Sequence, residues 1–349
     1  MNWKHIIHNT GVQAALGAAL LFGASTPLAK LLLQNVNPWM LAGLLYLGSG
    51  VGLTLYRLFS HANSVRLPRQ ELPWLMGAVV AGGFIAPVLL MFGLTGMPAS
   101  SASLLLNAEG VFTALLAWFV FKENFDSRIA LGMLVIVIGA TVLSWPSDAR
   151  FAGIFPSLAV LGACLAWGID NNLTRKVSLS DATWIASVKG LVAGSVNLVL
   201  AFVLDATLPV PTSILGAMLV GFFAYGLSLT LFILALRHLG TARTGAYFSI
   251  APFVGALIAL TMGEPVTLPL AVAGALMALG IWLHLTERHE HPHTHQPIEH
   301  EHEHIHDEHH QHDHDELLGV DIKHSHKHRH ETITHIHAHF PDMHHRHDH

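Results

Sequence analysis

From residue 11 onward the chain alternates long apolar stretches with short polar ones. Ten stretches of about twenty residues run at 11–33, 37–59, 73–94, 97–121, 128–145, 153–174, 182–204, 213–235, 242–263 and 266–286, with few charges among them. Segments such as LGMLVIVIGATVLSW have no polar face, so neither strand alternation nor the stripe of a surface helix describes them. A hydrocarbon layer about 30 Å thick is crossed by roughly 20 apolar residues of helix. Helix also pairs its backbone N–H and C=O groups within the segment, as lipid requires. The pattern therefore predicts an all-α integral membrane protein with ten transmembrane helices. Polar clusters such as SHANSVRLPRQELP and WPSDAR separate them. The first stretch, behind Lys4, is too long for a secretory leader, and nine more follow it.

Composition divides the chain in two. Of its 349 residues 52% are hydrophobic and only 12% charged, about half the charged share of an average soluble protein. Residues 1–288 carry 14 basic and 10 acidic side chains, whereas residues 289–349 carry 4 and 13, together with 23 of the 28 histidines. An apolar body is thus followed by an acidic, histidine-rich tail whose low hydrophobicity predicts disorder. With the N-terminus inside, eleven Lys and Arg fall on the cytoplasmic side and two, Lys30 and Arg150, on the other. That asymmetry places both termini in the cytoplasm and the body in the plasma (inner) membrane. The single cysteine, Cys164, forms no intramolecular disulfide and reads as a small packing residue.

The body repeats internally. GAALLFGASTPLAK (17–30) aligns with GACLAWGIDNNLTR (162–175) on a shift of 145, and GVFTALLAWFVFKE (110–123) aligns with PFVGALIALTMGE (252–264). The organisation is a cytoplasmic segment at 1–10, a five-helix copy at 11–145, a linker at 146–152, a second copy at 153–286 and the tail at 287–349. Five is odd, so the second copy is inverted relative to the first. Inverted repeats are an architecture of secondary transporters, with the solute site near the midplane between the halves.

The LFG and AWG sequences of spans one and six, and spans four and nine ending at Glu123 and Glu264, give residues 11–286 a resemblance to the drug/metabolite transporter superfamily, EamA type. The resemblance implies a carrier in the lipid bilayer that exports amino acids, metabolites or drugs, commonly driven by an ion gradient. One position departs from the pattern. Where many relatives carry an arginine in span two, this chain has Tyr46, in LLYLGSG, and its repeat partner in span seven is Lys189.

Ionisable groups at bilayer depth are costly and usually line a cavity with a partner. Glu109, in LLLNAEG near the middle of span four, is a candidate proton carrier or a structural carboxylate, with Asn107 two residues away. Asp170, followed by Asn171 in WGIDNNLTRK, lies near the end of span six, and Lys189 enters span seven at similar depth. The pair can act as a ligand clamp, a gate or a structural salt bridge. Lys30, near the outer end of span one, either serves the pathway or snorkels to the interface. Glu123 and Glu264 sit at span ends and read as structural. Pro27, Pro87 and Pro252 predict helix kinks, and Ala251, Gly255 and Ala259 form a small-residue stripe suited to close packing.

The tail contains EHEHEHIHDEHHQHDHDE at 299–316. Its His300, His302, His304, His306, His309, His310, His312 and His314 offer overlapping imidazole–carboxylate sites for Zn²⁺, Ni²⁺, Cu²⁺ or Co²⁺, or else form a solvated repeat expansion. The five histidines of the body lie in flanks or near span ends. The expectation is a secondary transporter of a small polar solute, requiring no cofactor, with divalent metals at the tail. A coupling proton and a second copy of the chain are admissible partners; nucleic acid is not. The rivals are a divalent-metal transporter with the tail as collector or sensor, and a non-transporting metal-binding regulator. No nucleophile–base group or phosphate-binding loop points to an enzyme.

Overall fold

Helices make up most of the described residues between Thr10 and Leu285 in a computed structural model that describes residues 10–65, 67–121, 127–144 and 154–285, with tail segments 290–295, 299–304, 324–329 and 333–338. Thr10–Leu32, Pro38–Phe59, Leu72–Gly96, Ala99–Phe119, Ala182–Val203 and Pro211–Leu239 are each long and apolar enough to cross a membrane. Phe155–Val177 is as long, at 23 residues, but carries Asp170 with Arg175 and Lys176 in its last turn. Ser127–Ser144 and Leu268–Leu285, 18 residues each, supply spans five and ten. We call the face at which span one begins proximal and the opposite face distal.

One boundary differs from expectation. Residues 236–241 read as the turn between spans eight and nine, yet the helix Ser228–Phe248 runs through them and breaks at Ser249–Ile250, just before Ala251–Thr261. No proline lies between 229 and 251, so the backbone has every N–H it needs to stay helical. Pro252 then opens the next helix, as Pro tolerates a first turn.

The interruptions recur between the halves. Span four breaks at Leu106–Asn107, between Ala99–Leu105 and Ala108–Phe119, and span nine breaks 143 residues later. Spans three and eight each contain a seven-residue π-helical segment, Val79–Ile85 and Gly221–Leu227, a shift of 142. Span one breaks at Ala24 between Thr10–Gly23 and Ser25–Leu32. Pro27 explains that break, because it has no N–H to offer the carbonyl of Gly23.

Packing obeys the same symmetry. Span two packs on seven, five on ten and four on nine, while one packs on eight as six packs on three, and one packs on nine as six packs on four. A twofold that exchanges the halves maps this set onto itself, as an inverted repeat requires. Spans two and seven meet almost backbone to backbone. A Cβ on Gly190 would fall 2.6 Å from the Cα of Gly50, and one on Gly194 would fall 2.5 Å from the Leu47 nitrogen. The stripe Ala251, Gly255 and Ala259 is buried, with Gly255 against Ser103 and the Gly23 carbonyl.

The tail forms a separate unit. Its described segments are β1 Glu290–His295, β2 Glu299–His304, β3 His324–Arg329 and β4 Ile333–Ala338. β1 pairs antiparallel with β4 and β2 with β3, the latter setting His300 opposite His328, His302 opposite His326 and His304 opposite His324. Histidine at alternate positions has the two-residue period of a strand.

Candidate functional site

The break in span four starts a new helix in mid-span, at Ala108, and puts Glu109 in its first turn. The partial positive charge of a helix N-terminus suits a carboxylate there. Glu109 is half-buried, and its Oε1 accepts a 2.8 Å hydrogen bond from Nδ2 of Asn171 on span six. The same amide donates to Thr113 Oγ1 at 3.2 Å. Asn172 donates to the Thr113 carbonyl and to that of Gly168, both at 2.9 Å, which binds span six to the second half of span four. Among the described residues no cationic side chain bonds Glu109.

Asp170 is placed by a glycine. A side chain at Gly82, inside the π-segment of span three, would overlap the Asp170 carboxylate. The segment's widened turn also presents the Gly82 carbonyl, which accepts from the Tyr46 hydroxyl at 2.5 Å and from Trp167 Nε1 at 3.1 Å. π-turns commonly expose backbone groups in this way at functional sites. Lys189 Nζ donates to Asp170 Oδ1 at 2.5 Å and Oδ2 at 2.7 Å, and the Thr174 hydroxyl donates to Oδ1 at 2.8 Å. The ion pair is almost dry, the two side chains being 1% and 7% exposed.

Glu109, Asp170, Asn171 and Tyr46 line one cavity with the rings of Phe22, Trp167, Tyr225, Phe232 and Phe248 and with Ser228. Phe22 meets Trp167 edge-on at 5.6 Å and Tyr225 at 5.7 Å; Tyr46 stacks near Tyr225 at 5.3 Å. Water has about 50 Å³ to occupy, room for roughly three or four molecules. An organic solute therefore requires the helices to part.

The other sequence candidates lie elsewhere. Lys189 stands behind Asp170. Asn107 lines no part of the cavity; its Nδ2 donates to the Leu104 carbonyl at 3.0 Å and approaches Met277 Sδ at 3.6 Å, so it braces the span-four break. Lys30 does not line the cavity. Its Nζ donates to the Leu94 carbonyl at 2.5 Å and the Met97 carbonyl at 3.0 Å, capping span three on the distal face. Glu264 accepts from the Ala99 and Ser100 N–H groups at 2.7 and 2.8 Å, capping span four across the same turn. Burial opposes its charge, yet the Ser100 hydroxyl, those two N–H groups and Lys30 hold its carboxyl below the ordinary value. On the proximal face Asp181 is treated alike: burial is outweighed by Thr183, the Trp184 N–H and Arg57, which lower its pKa. His300, His302 and His304 sit on β2, while Glu123, His306, His309, His310, His312 and His314 lie outside the described residues. Among the described residues no group of three His, Cys, Asp or Glu could hold a metal ion.

Sequence reasoning missed Thr113, Thr174, Gly82 and most of the ring cage. The aromatic–glycine pairs of LFG and AWG were the signal, since Phe22 and Trp167 are their aromatic members.

Comparison with known proteins follows this geometry. The family model described as EamA-like transporter family matches residues 9–145 and again residues 154–286. An uncharacterized transporter of Methanothermobacter thermautotrophicus is 29% identical over 294 residues, covering 78% of this chain and 85% of its own. A protein of Escherichia coli K12 named "Probable amino-acid metabolite efflux pump" is 26% identical over 294 residues, covering 79% and 94%. A solved crystal structure superimposes with a TM-score of 0.64 at 17% identity, over 79% of this chain and 95% of that one. It shares the fold.

Proposed function

Since this chain belongs to the EamA-like transporter family, a family of membrane transporters rather than enzymes, we propose that it is a secondary carrier of the plasma membrane that exports a small polar metabolite, amino acid or drug in exchange for protons at Glu109. The observation that carries the reading is the state of that carboxylate. It faces a cavity at the mid-span break, holds one amide hydrogen bond, and has no cationic partner among the described residues. Asp170 beside it is already neutralised by Lys189. A half-buried carboxylate at bilayer depth is stable with a proton or with a cationic solute group bound, and the alternation of the two couples the flows. The E. coli relative, named as an efflux pump for amino-acid metabolites, supports the direction.

The histidine tail is an accessory on this reading. We take it to bind divalent ions weakly, supported by the His-opposite-His register of β2 and β3 and by the absence of imidazole among the cavity residues. Proteoliposomes with an imposed pH gradient test the main claim. Glu109→Gln is expected to abolish gradient-driven transport while solute exchange persists. Full gradient-driven transport by that variant would remove Glu109 from the coupling.

A further inference from the structure

The cavity's polar groups specify the charge of what it binds. Resting on the carrier reading above, we infer that the solute is an organic cation, a protonated or quaternary amine with an apolar or aromatic body, and not a zwitterion bearing a free carboxylate.

The inference follows from the charges and donors around the cavity. Two carboxylates face it, Glu109 and Asp170, and one ammonium, that of Lys189, lies between Asp170 and Thr174, 2.5 and 2.7 Å from the carboxylate oxygens. Among the described residues the site is therefore one negative charge in excess, at Glu109. A solute carboxylate would need donors of its own, and those present are committed. Asn171 gives its amide to Glu109 and Thr113. Tyr46 and Trp167 both donate to the Gly82 carbonyl. Ser228 donates to the Ala18 carbonyl at 2.8 Å. The Tyr225 hydroxyl and that of Ser25 beside it are left, and two neutral hydroxyls fall short of what a buried carboxylate requires.

A cation meets the opposite reception. Six rings, Phe22, Tyr46, Trp167, Tyr225, Phe232 and Phe248, line the same cavity as the carboxylate, and ring faces attract ammonium groups that have shed water. Asp170 on span six, the Tyr46 hydroxyl on span two and the Tyr225 hydroxyl on span eight are the other titratable groups of the cavity, and Cys164 of span six lies near Glu109. The Lys189 ammonium of span seven is held by Asp170, and among the described residues none gives Glu109 a cationic partner. Proton and solute ammonium thus compete for one carboxylate, so binding of the amine should release a proton.

The test uses the full chain purified in detergent and titrated by calorimetry with phenethylamine, phenylalanine and 3-phenylpropionate. These share one aromatic body and differ in head-group charge. Phenethylamine is expected to bind about tenfold or more tighter than phenylalanine, and to release protons, read from buffers of different ionisation enthalpy. Glu109→Gln should remove that preference and the proton release together. Phe22→Leu should weaken benzyltrimethylammonium more than the neutral benzyl alcohol. Phenylalanine binding as tightly as the amine, or amine binding by the unaltered protein without proton release, would overturn the inference, and neither result depends on a variant that folds. Reconstitution separates the two claims. Gradient-driven movement of phenylalanine but not of the amine overturns the cation assignment and leaves the carrier standing. Proton-releasing amine binding without movement of any solute upholds the assignment and sinks the carrier reading.

Discussion

Replacing Lys189 by Met would strand the Asp170 carboxylate in a place that water barely reaches. The lysine side chain is 1% exposed, its partner 7%, and the Thr174 hydroxyl would be the remaining hydrogen bond to that carboxylate. Removing one member of a buried ion pair costs about 3–5 kcal/mol. A second route gives a similar figure. Protonating an ordinary aspartate at neutral pH costs roughly 4 kcal/mol, about three units at 1.36 kcal/mol each, which caps the loss. Removing both charges in Asp170→Asn/Lys189→Met leaves no stranded ion and should cost no more than about 1–2 kcal/mol. The coupling between the two sites should therefore be roughly 3 kcal/mol or more, measured as a double-mutant cycle. Equilibrium unfolding in mixed micelles of the parent, both single variants and the double variant is the assay. Single variants each within about 1 kcal/mol of the parent would refute the reasoning, because a pair so tolerant is not desolvated.

Three further outcomes follow from the structure. Gly190→Leu should destabilise by about 1–3 kcal/mol through overpacking, since even a Cβ there meets Gly50 at 2.6 Å; unfolding midpoints check it, and a neutral result would mean that spans two and seven separate easily. Glu264→Ala should cost about 1 kcal/mol by uncapping span four. Because the folded-state pKa of Glu264 is lowered, its contribution is present above the usual glutamate value, about 4.3, and is lost as pH falls through the folded value. A pH series of unfolding midpoints should show that loss in the parent and not in the Ala variant. Truncation after Arg288 should leave proteoliposome transport intact and abolish Zn²⁺ binding, which in the full chain should fade below about pH 6.5 as imidazoles protonate; loss of transport by a correctly inserted truncation would make the tail part of the pathway.

What was legible in the sequence was what depends on one segment or on one turn. Apolar run length marked the spans, and the repeat marked their inversion. Asp170 and Lys189 flank a single tight connection, so their meeting could be read from depth alone. The Asn171–Glu109 bond could not, because it joins residues 62 apart whose helices need only have been neighbours in some order. Lys30 shows the same limit. Its role as a cap is written in the carbonyls of Leu94 and Met97, which no pattern near residue 30 reveals. Gly82 looks like any small residue of a membrane helix until a carboxylate is found to fill the space its side chain would take. The end of span eight went the other way, since a polar stretch read as a turn kept its helical backbone.

The paired π-segments at Val79–Ile85 and Gly221–Leu227 also bear on descent. A π-turn arises when one residue is inserted into an α-helix, and it ordinarily weakens the helix that receives it. Two such insertions at the same offset of the two halves need separate events if each half acquired its own, but a single event if the insertion came first. The simpler history is that a five-helix ancestor already carried the bulge and was then doubled. The two copies have since parted, one keeping Gly82 against Asp170 and Gly83 against Ala193, the other placing Tyr225 where Gly83 stands in the first.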